Sequence, residues 1–182
     1  ENDFLSITSI GRSQKREDAT TIGKYGLGFN VVYHFTDLPQ FVSGDTVVLF
    51  DPHGRALPGD GDLGMRAKFV DGLAAQYPGL LDPLLQPLDR LHGKTQGSRP
   101  ARHDAAVDAT LFRLPLRTST QAQSSDLSQR EVSPSEVRGL LETLCTDGLG
   151  EMLLFTQHLT SIECCVLEAD GRLVSLGAAA VK

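Results

Sequence analysis

Two apolar runs, Phe41-Val42-Ser43 and Thr46 to Phe50, stand on either side of Gly44-Asp45, and no other stretch limits the possible folds as much. β-Branched and aromatic residues suit a pleated strand, and a Gly-Asp pair suits a two-residue hairpin turn. The spacing predicts two antiparallel strands, closed by the turn residues Asp51-Pro52-His53-Gly54. Residues 162–167 and 173–176 repeat the device around Asp170-Gly171. A further strand is predicted over Thr110 to Leu116, with Thr110, Phe112, Leu114 and Leu116 on one face. Pro115 has no N–H to give a ladder, so it is expected at an edge or a strand end.

Helices are expected between these strands. Ser133-Pro134-Ser135-Glu136 joins an N-cap serine, a first-position proline and a glutamate three residues after the cap. Val137, Leu140, Leu141, Leu144 and Cys145 follow as an amphipathic stripe that Asp147-Gly148 ends. Phe4, Leu5, Ile7 and Ile10 predict a short opening helix, and Pro78, Pro83 and Pro87 restrict residues 69–88 to short helical pieces. Hairpins, interspersed helices and no βαβ rhythm predict an α+β fold with a mixed or mostly antiparallel sheet. Gly93 to Val107 and Thr118 to Arg130 are polar and read as inserts or loops.

The 182 residues suit one domain, and 17 basic against 23 acidic side chains give a net charge of −6. That acidity argues against a nucleic-acid or acidic-membrane surface. No run approaches the ~18 apolar residues of a membrane span. The three cysteines, Cys145, Cys164 and Cys165, form no CxxC pair and are expected as buried thiols of a reducing, cytosol-like compartment. The start, Glu1-Asn2-Asp3, has no initiator Met and no signal-peptide h-region, so the chain is expected to be an excerpt of something longer.

Chemistry concentrates at Gly23-x-x-Gly26-x-Gly28, before the stripe Val31, Val32 and Phe35. Glycines let a backbone approach an anion closely, the first free amides of a helix carry partial positive charge, and Lys24 adds a cation. This pattern predicts a phosphate cradle opening a helix, with a glycine-eased packing turn as the alternative. Gly93-Lys94-Thr95 imitates the end of a P-loop, but Leu88 stands where its first glycine belongs. The five histidines, His34, His53, His92, His103 and His158, show no metal-ligand spacing. His34 is expected as a packed or capping residue. Asp51 and His53 imitate a catalytic pair but fit a strand-ending turn better. No catalytic residue and no metal ligand is assigned.

Residues 22–54, IGKYGLGFNVVYHFTDLPQFVSGDTVVLFDPHG, with DATLFRLPLR at 108–117, resemble the ATP-binding repeat of sacsin-like proteins. More distantly they are similar to the glycine box of the ninety-kilodalton heat-shock chaperones. The resemblance implies a GHKL (Bergerat-type) α/β sandwich with helices on one face of the sheet, residues 1–182 forming the C-terminal portion of one such domain. It implies that main-chain amides along Gly23, Lys24, Tyr25, Gly26, Leu27, Gly28 and Phe29 hold the ATP phosphates, with Phe29 at the pocket wall. Thr110 matches the threonine at the adenine edge, although Ala109 replaces the usual preceding glycine, and Ser13 matches a polar position near the nucleotide. The general-base glutamate and the magnesium-holding asparagine of the superfamily have no counterpart here; they are expected upstream.

The implied function is ATP binding within a chaperone-related domain of the cytosol, with magnesium held by residues outside this chain and client proteins or co-chaperones as partners. The rival is a non-catalytic interaction scaffold with a degenerate pocket, which Ala109 and the polar inserts favour. Other GHKL enzymes, histidine kinases or mismatch-repair ATPases, fit less well because the chain is acidic. Residues 1–182 alone are expected to bind ATP weakly or not at all.

Overall fold

The computed structural model describes residues 28–57, 62–69, 73, 77, 79, 81–91, 106–156 and 158–181. A six-residue 3-10 helix, Phe29–His34, opens them. Four strands, β1 (Gln40–Gly44), β2 (Thr46–Phe50), β3 (Gly64–Lys68) and β4 (Val107–Arg113), form an antiparallel sheet in the order β3-β2-β1-β4. Helix α1 (Asp82–Leu91) lies between β3 and β4 in sequence. Downstream, α2 (Ser119–Ser124), α3 (Pro134–Asp147) and α4 (Leu149–Leu154) lead to a hairpin of β5 (Ser161–Leu167) and β6 (Leu173–Ala180). This is an α+β fold. No helix among the described residues is long and apolar enough to cross a membrane.

Both predicted hairpins form, and glycine takes the strained corner in each: Gly44 has φ 58° and Gly171 φ 85°. Only a residue without Cβ adopts that left-handed backbone at little cost. Alternation along β1 and β2 sends Val42, Val47 and Leu49 to one face, where they meet Phe69, Leu81 just before α1, and the α1 side chains Leu84 and Leu85. Ala109 and Leu111 of β4 complete that core from the far side. A second assembly packs α3 and α4 on the β5–β6 hairpin.

Several expectations are corrected. The segment after the glycines is a 3-10 helix rather than an α-helix, and none of its residues is buried. With three residues per turn the expected stripe no longer shares one face, and Val31 stands 54% exposed. Within the predicted loop 118–130, α2 forms because Thr118 and Gln121 make a reciprocal capping box. In α3 the cap is as expected, Ser133 Oγ accepting the Glu136 N–H at 3.2 Å, but Leu140 is exposed while Val137, Leu141, Leu144 and Cys145 are half-buried. Val107 belongs to β4 instead of an insert. Pro115 follows the end of β4, as its missing N–H requires. The opening helix, the insert over 93–105 and Ser13 through Leu27 lie outside the described residues.

Candidate functional site

The sheet face turned away from α1 carries an aromatic group. Cross-strand pairing sets Phe41 opposite Val48 on one side and Phe112 on the other, so all three share this face. Phe29, the first residue of the 3-10 helix, lays its ring 5.1 Å from that of Phe50 and 6.3 Å from that of Phe112. Phe41 stands 6.2 Å from Phe50 and 5.2 Å from Phe112. The rings are mutually tilted, an arrangement their quadrupoles favour. Phe41 and Phe50 are buried, whereas Phe112, on edge strand β4, is 49% exposed.

Two residues along β4 on that same face, Thr110 is exposed and pairs with Ser43, their hydroxyls 2.8 Å apart. A hydroxyl is both donor and acceptor, so each retains capacity for a ligand. Gly28 is exposed just before Phe29, and a Cβ built there would meet nothing within 4 Å among the described residues. Phe29, Phe112 and Thr110 therefore present an apolar wall with a polar edge. Gly23, Lys24, Tyr25, Gly26, Leu27 and Ser13 are outside the described residues. Among the described residues, no group of three or more His, Cys, Asp and Glu side chains could hold a metal ion.

Sequence reading missed the group that fixes the far end of the 3-10 helix. Arg117 is 1% exposed and grips Asp37 Oδ1 through Nε at 2.8 Å and Nη2 at 2.6 Å. Its guanidinium also donates to the carbonyls of Tyr33 at 2.6 Å, His34 at 3.5 Å and Arg130 at 3.3 Å. One side chain thus binds the last helical carbonyls, the following loop and the segment leading to α3. The only hint was an arginine ending an apolar strand in Leu114-Pro115-Leu116-Arg117. His34 is an exposed residue of the last turn and lends this network only its carbonyl.

Beside this network lies a cavity of about 140 Å³ lined by Asp37, Asp51, His53, Gln121, Ser124 and Ser125. His53 bridges across it, with Nδ1 3.2 Å from Asp126 and Nε2 3.6 Å from Asp37 and 3.4 Å from Ser125 Oγ. Ser125 Oγ also accepts the N–H groups of Leu127 and Ser128, each at 3.2 Å, which fixes it as a turn residue. The strand-ending turn is held by Asp51, whose Oδ2 accepts the N–H groups of Ala56 at 2.5 Å and Leu57 at 3.0 Å. Burial alone would raise the Asp51 carboxyl, but main-chain donors at Ala56, Leu57, Arg55 and His53 outweigh it and hold the group below its usual range.

A folded-state value below the unfolded one, about 3.9, means that this stabilisation is complete above that pH and is lost as pH falls through the folded value. We expect Asp51→Asn to cost about 2 kcal/mol at neutral pH, the worth of hydrogen bonds to a charged acceptor. Urea unfolding of both proteins should show the difference shrinking below about pH 4. A difference that stays constant down to pH 3 would contradict the assignment.

A family model described as Sacsin domain matches residues 1–175. Human Sacsin is 33% identical to the chain over 172 residues, which is 92% of this chain and 3% of that protein's length. The match runs through the aromatic face, Thr110 and the Arg117 network. The chain belongs to the sacsin domain family.

Proposed function

We propose that the aromatic face is part of a nucleotide pocket, and that this sacsin domain binds ATP as a portion of a chaperone-related, GHKL-type ATPase domain of the cytosol. The observation that supports the reading most is the meeting of Phe29 with Phe112 on the face that also bears Thr110. Segments far apart in sequence thereby contribute an apolar wall and a hydroxyl edge, which suits a flat heterocycle carrying exocyclic donors. The space beside Gly28, open among the described residues, suits an anion approaching the main chain at the end of the glycine box. In this reading Phe29 and Phe112 exclude water from one face of the base, Thr110 hydrogen-bonds its edge, and the amides along Gly23 to Phe29 hold the phosphates. Magnesium, when bound, neutralises phosphate charge. No side chain here is assigned to hold it or to activate water.

The test is calorimetric titration of ATP into the domain extended by about one hundred upstream residues, the scale of a full domain. Binding is expected, and Gly26→Val with Gly28→Val should abolish it. A Cβ at residue 28 meets nothing within 4 Å among the described residues, and a urea-unfolding measurement on the variant separates lost binding from lost fold. Unchanged affinity in the variant would sink the phosphate cradle. Residues 1–182 alone should bind weakly or not at all, and micromolar binding would count against an upstream half-pocket.

A second reading, a scaffold that packs client proteins, is favoured by Leu154 and Phe155, each 81% exposed at the end of α4. Absence of ATP binding in the extended domain would favour it.

A further inference from the structure

Cys145 is on α3 and Cys164 is on β5, two elements that pack together. The β5–β6 register sets Cys164 directly opposite Gly177. Gly177 also lies close under α3: an added Cβ would lie 2.9 Å from Cys145 Cβ and 3.2 Å from Cys145 Sγ. The missing side chain at 177 is what admits the Cys145 thiol to the strand position beside Cys164. Cys165 behaves differently. A register shift separates it from Cys164, and it stands opposite Ser175. None of the three belongs to the aromatic face.

We propose that Cys145 and Cys164 are a dithiol–disulfide pair, oxidised by hydrogen peroxide, whose closure ties α3 to the β5–β6 hairpin. One thiolate attacks the peroxide O–O bond; its sulfur becomes a sulfenic acid and the second oxygen leaves as hydroxide, which takes a proton to form water. The other thiol then attacks that sulfur, forms the S–S bond and expels a second water. Two thiols are oxidised, one peroxide is reduced to two waters, and the chain keeps its charge. Burial pushes the Cys164 thiol above its ordinary range, so little of it is thiolate at neutral pH and closure speeds up as pH rises. The bond would close a loop from the end of α3 to β5, of a length for which a cross-link restricts the unfolded chain substantially.

The 182-residue chain, treated with excess hydrogen peroxide, capped with a maleimide and digested without reductant, should yield one intramolecular link between the peptides bearing Cys145 and Cys164. Cys164 and Cys165 share a peptide, so Cys165→Ser assigns the bond: the link must survive in it and vanish in Cys145→Ser and Cys164→Ser. The oxidised wild-type chain should melt about 5–10 °C above the reduced one, a gain absent from Cys164→Ser. A link through Cys165, cysteines oxidised separately to sulfinic acid, or disulfide dimers in place of the internal bond would overturn the proposal. Mapping on the wild-type chain keeps the test valid even if a serine variant folds poorly.

Discussion

Arg117→Ala should destabilise the protein by about 3–5 kcal/mol, the cost typical of removing one partner from a buried ion pair. The loss falls on four acceptors. Asp37, itself buried, keeps the His53 imidazole at 3.6 Å as its remaining ring partner among the described residues, and the carbonyls of Tyr33, His34 and Arg130 each lose a donor. Arg117→Lys should recover only part of this, because an ammonium cannot span Asp37 and three carbonyls held by a planar fork. Replacing both partners, as Arg117→Met with Asp37→Leu, should cost less than Arg117→Met alone, since no unpaired charge stays buried. Chemical denaturation of the four variants reads all these differences. A loss below about 1 kcal/mol for Arg117→Ala would mean that water replaces the guanidinium, and the lock on the 3-10 helix would not exist.

What the sequence disclosed follows the range of the interactions involved. Turn chemistry is local, so Gly44-Asp45 and Asp170-Gly171 announced both hairpins, and Ser133-Pro134 announced α3. Caps that depend on a single reciprocal pair are local too. Thr118 and Gln121 carried such a signal, and the polar composition around them hid α2. The 3-10 helix was read as an α-helix because Gly28, Val31, Val32 and Phe35 fit a 3.6-residue stripe; that stripe presupposed a buried face, and Val31 faces solvent. The site divides the same way. The family resemblance marks Phe29 and Thr110 from the sequence, but Phe112 is only a strand residue until pairing with β1 sets it beside Phe41 and Phe29. Arg117 was invisible because its partners come from three separate segments, and nothing in an isolated arginine says that it will be buried.

The two faces of one sheet should respond differently to truncation, and that contrast separates packing from binding. Leu84→Ala on α1 should cost about 2–5 kcal/mol, because Leu84 is 1% exposed among Val42, Val47 and Leu49 and its loss leaves a cavity that a β-sheet backbone cannot collapse to fill. Phe112→Ala, on the opposite face, should cost only about 1 kcal/mol, the worth of its contacts with Phe41 and Phe29, since half of the ring already meets solvent. In the upstream-extended domain the order should reverse for ligand: Phe112→Ala should weaken ATP binding at least tenfold, whereas Leu84→Ala, measured where it is still folded, should leave it near wild type. Urea titration and calorimetry on the same preparations give both rankings. If Phe112→Ala proves as destabilising as Leu84→Ala and leaves ATP affinity intact, the exposed ring is a structural residue, and the aromatic face has no claim to be a pocket wall.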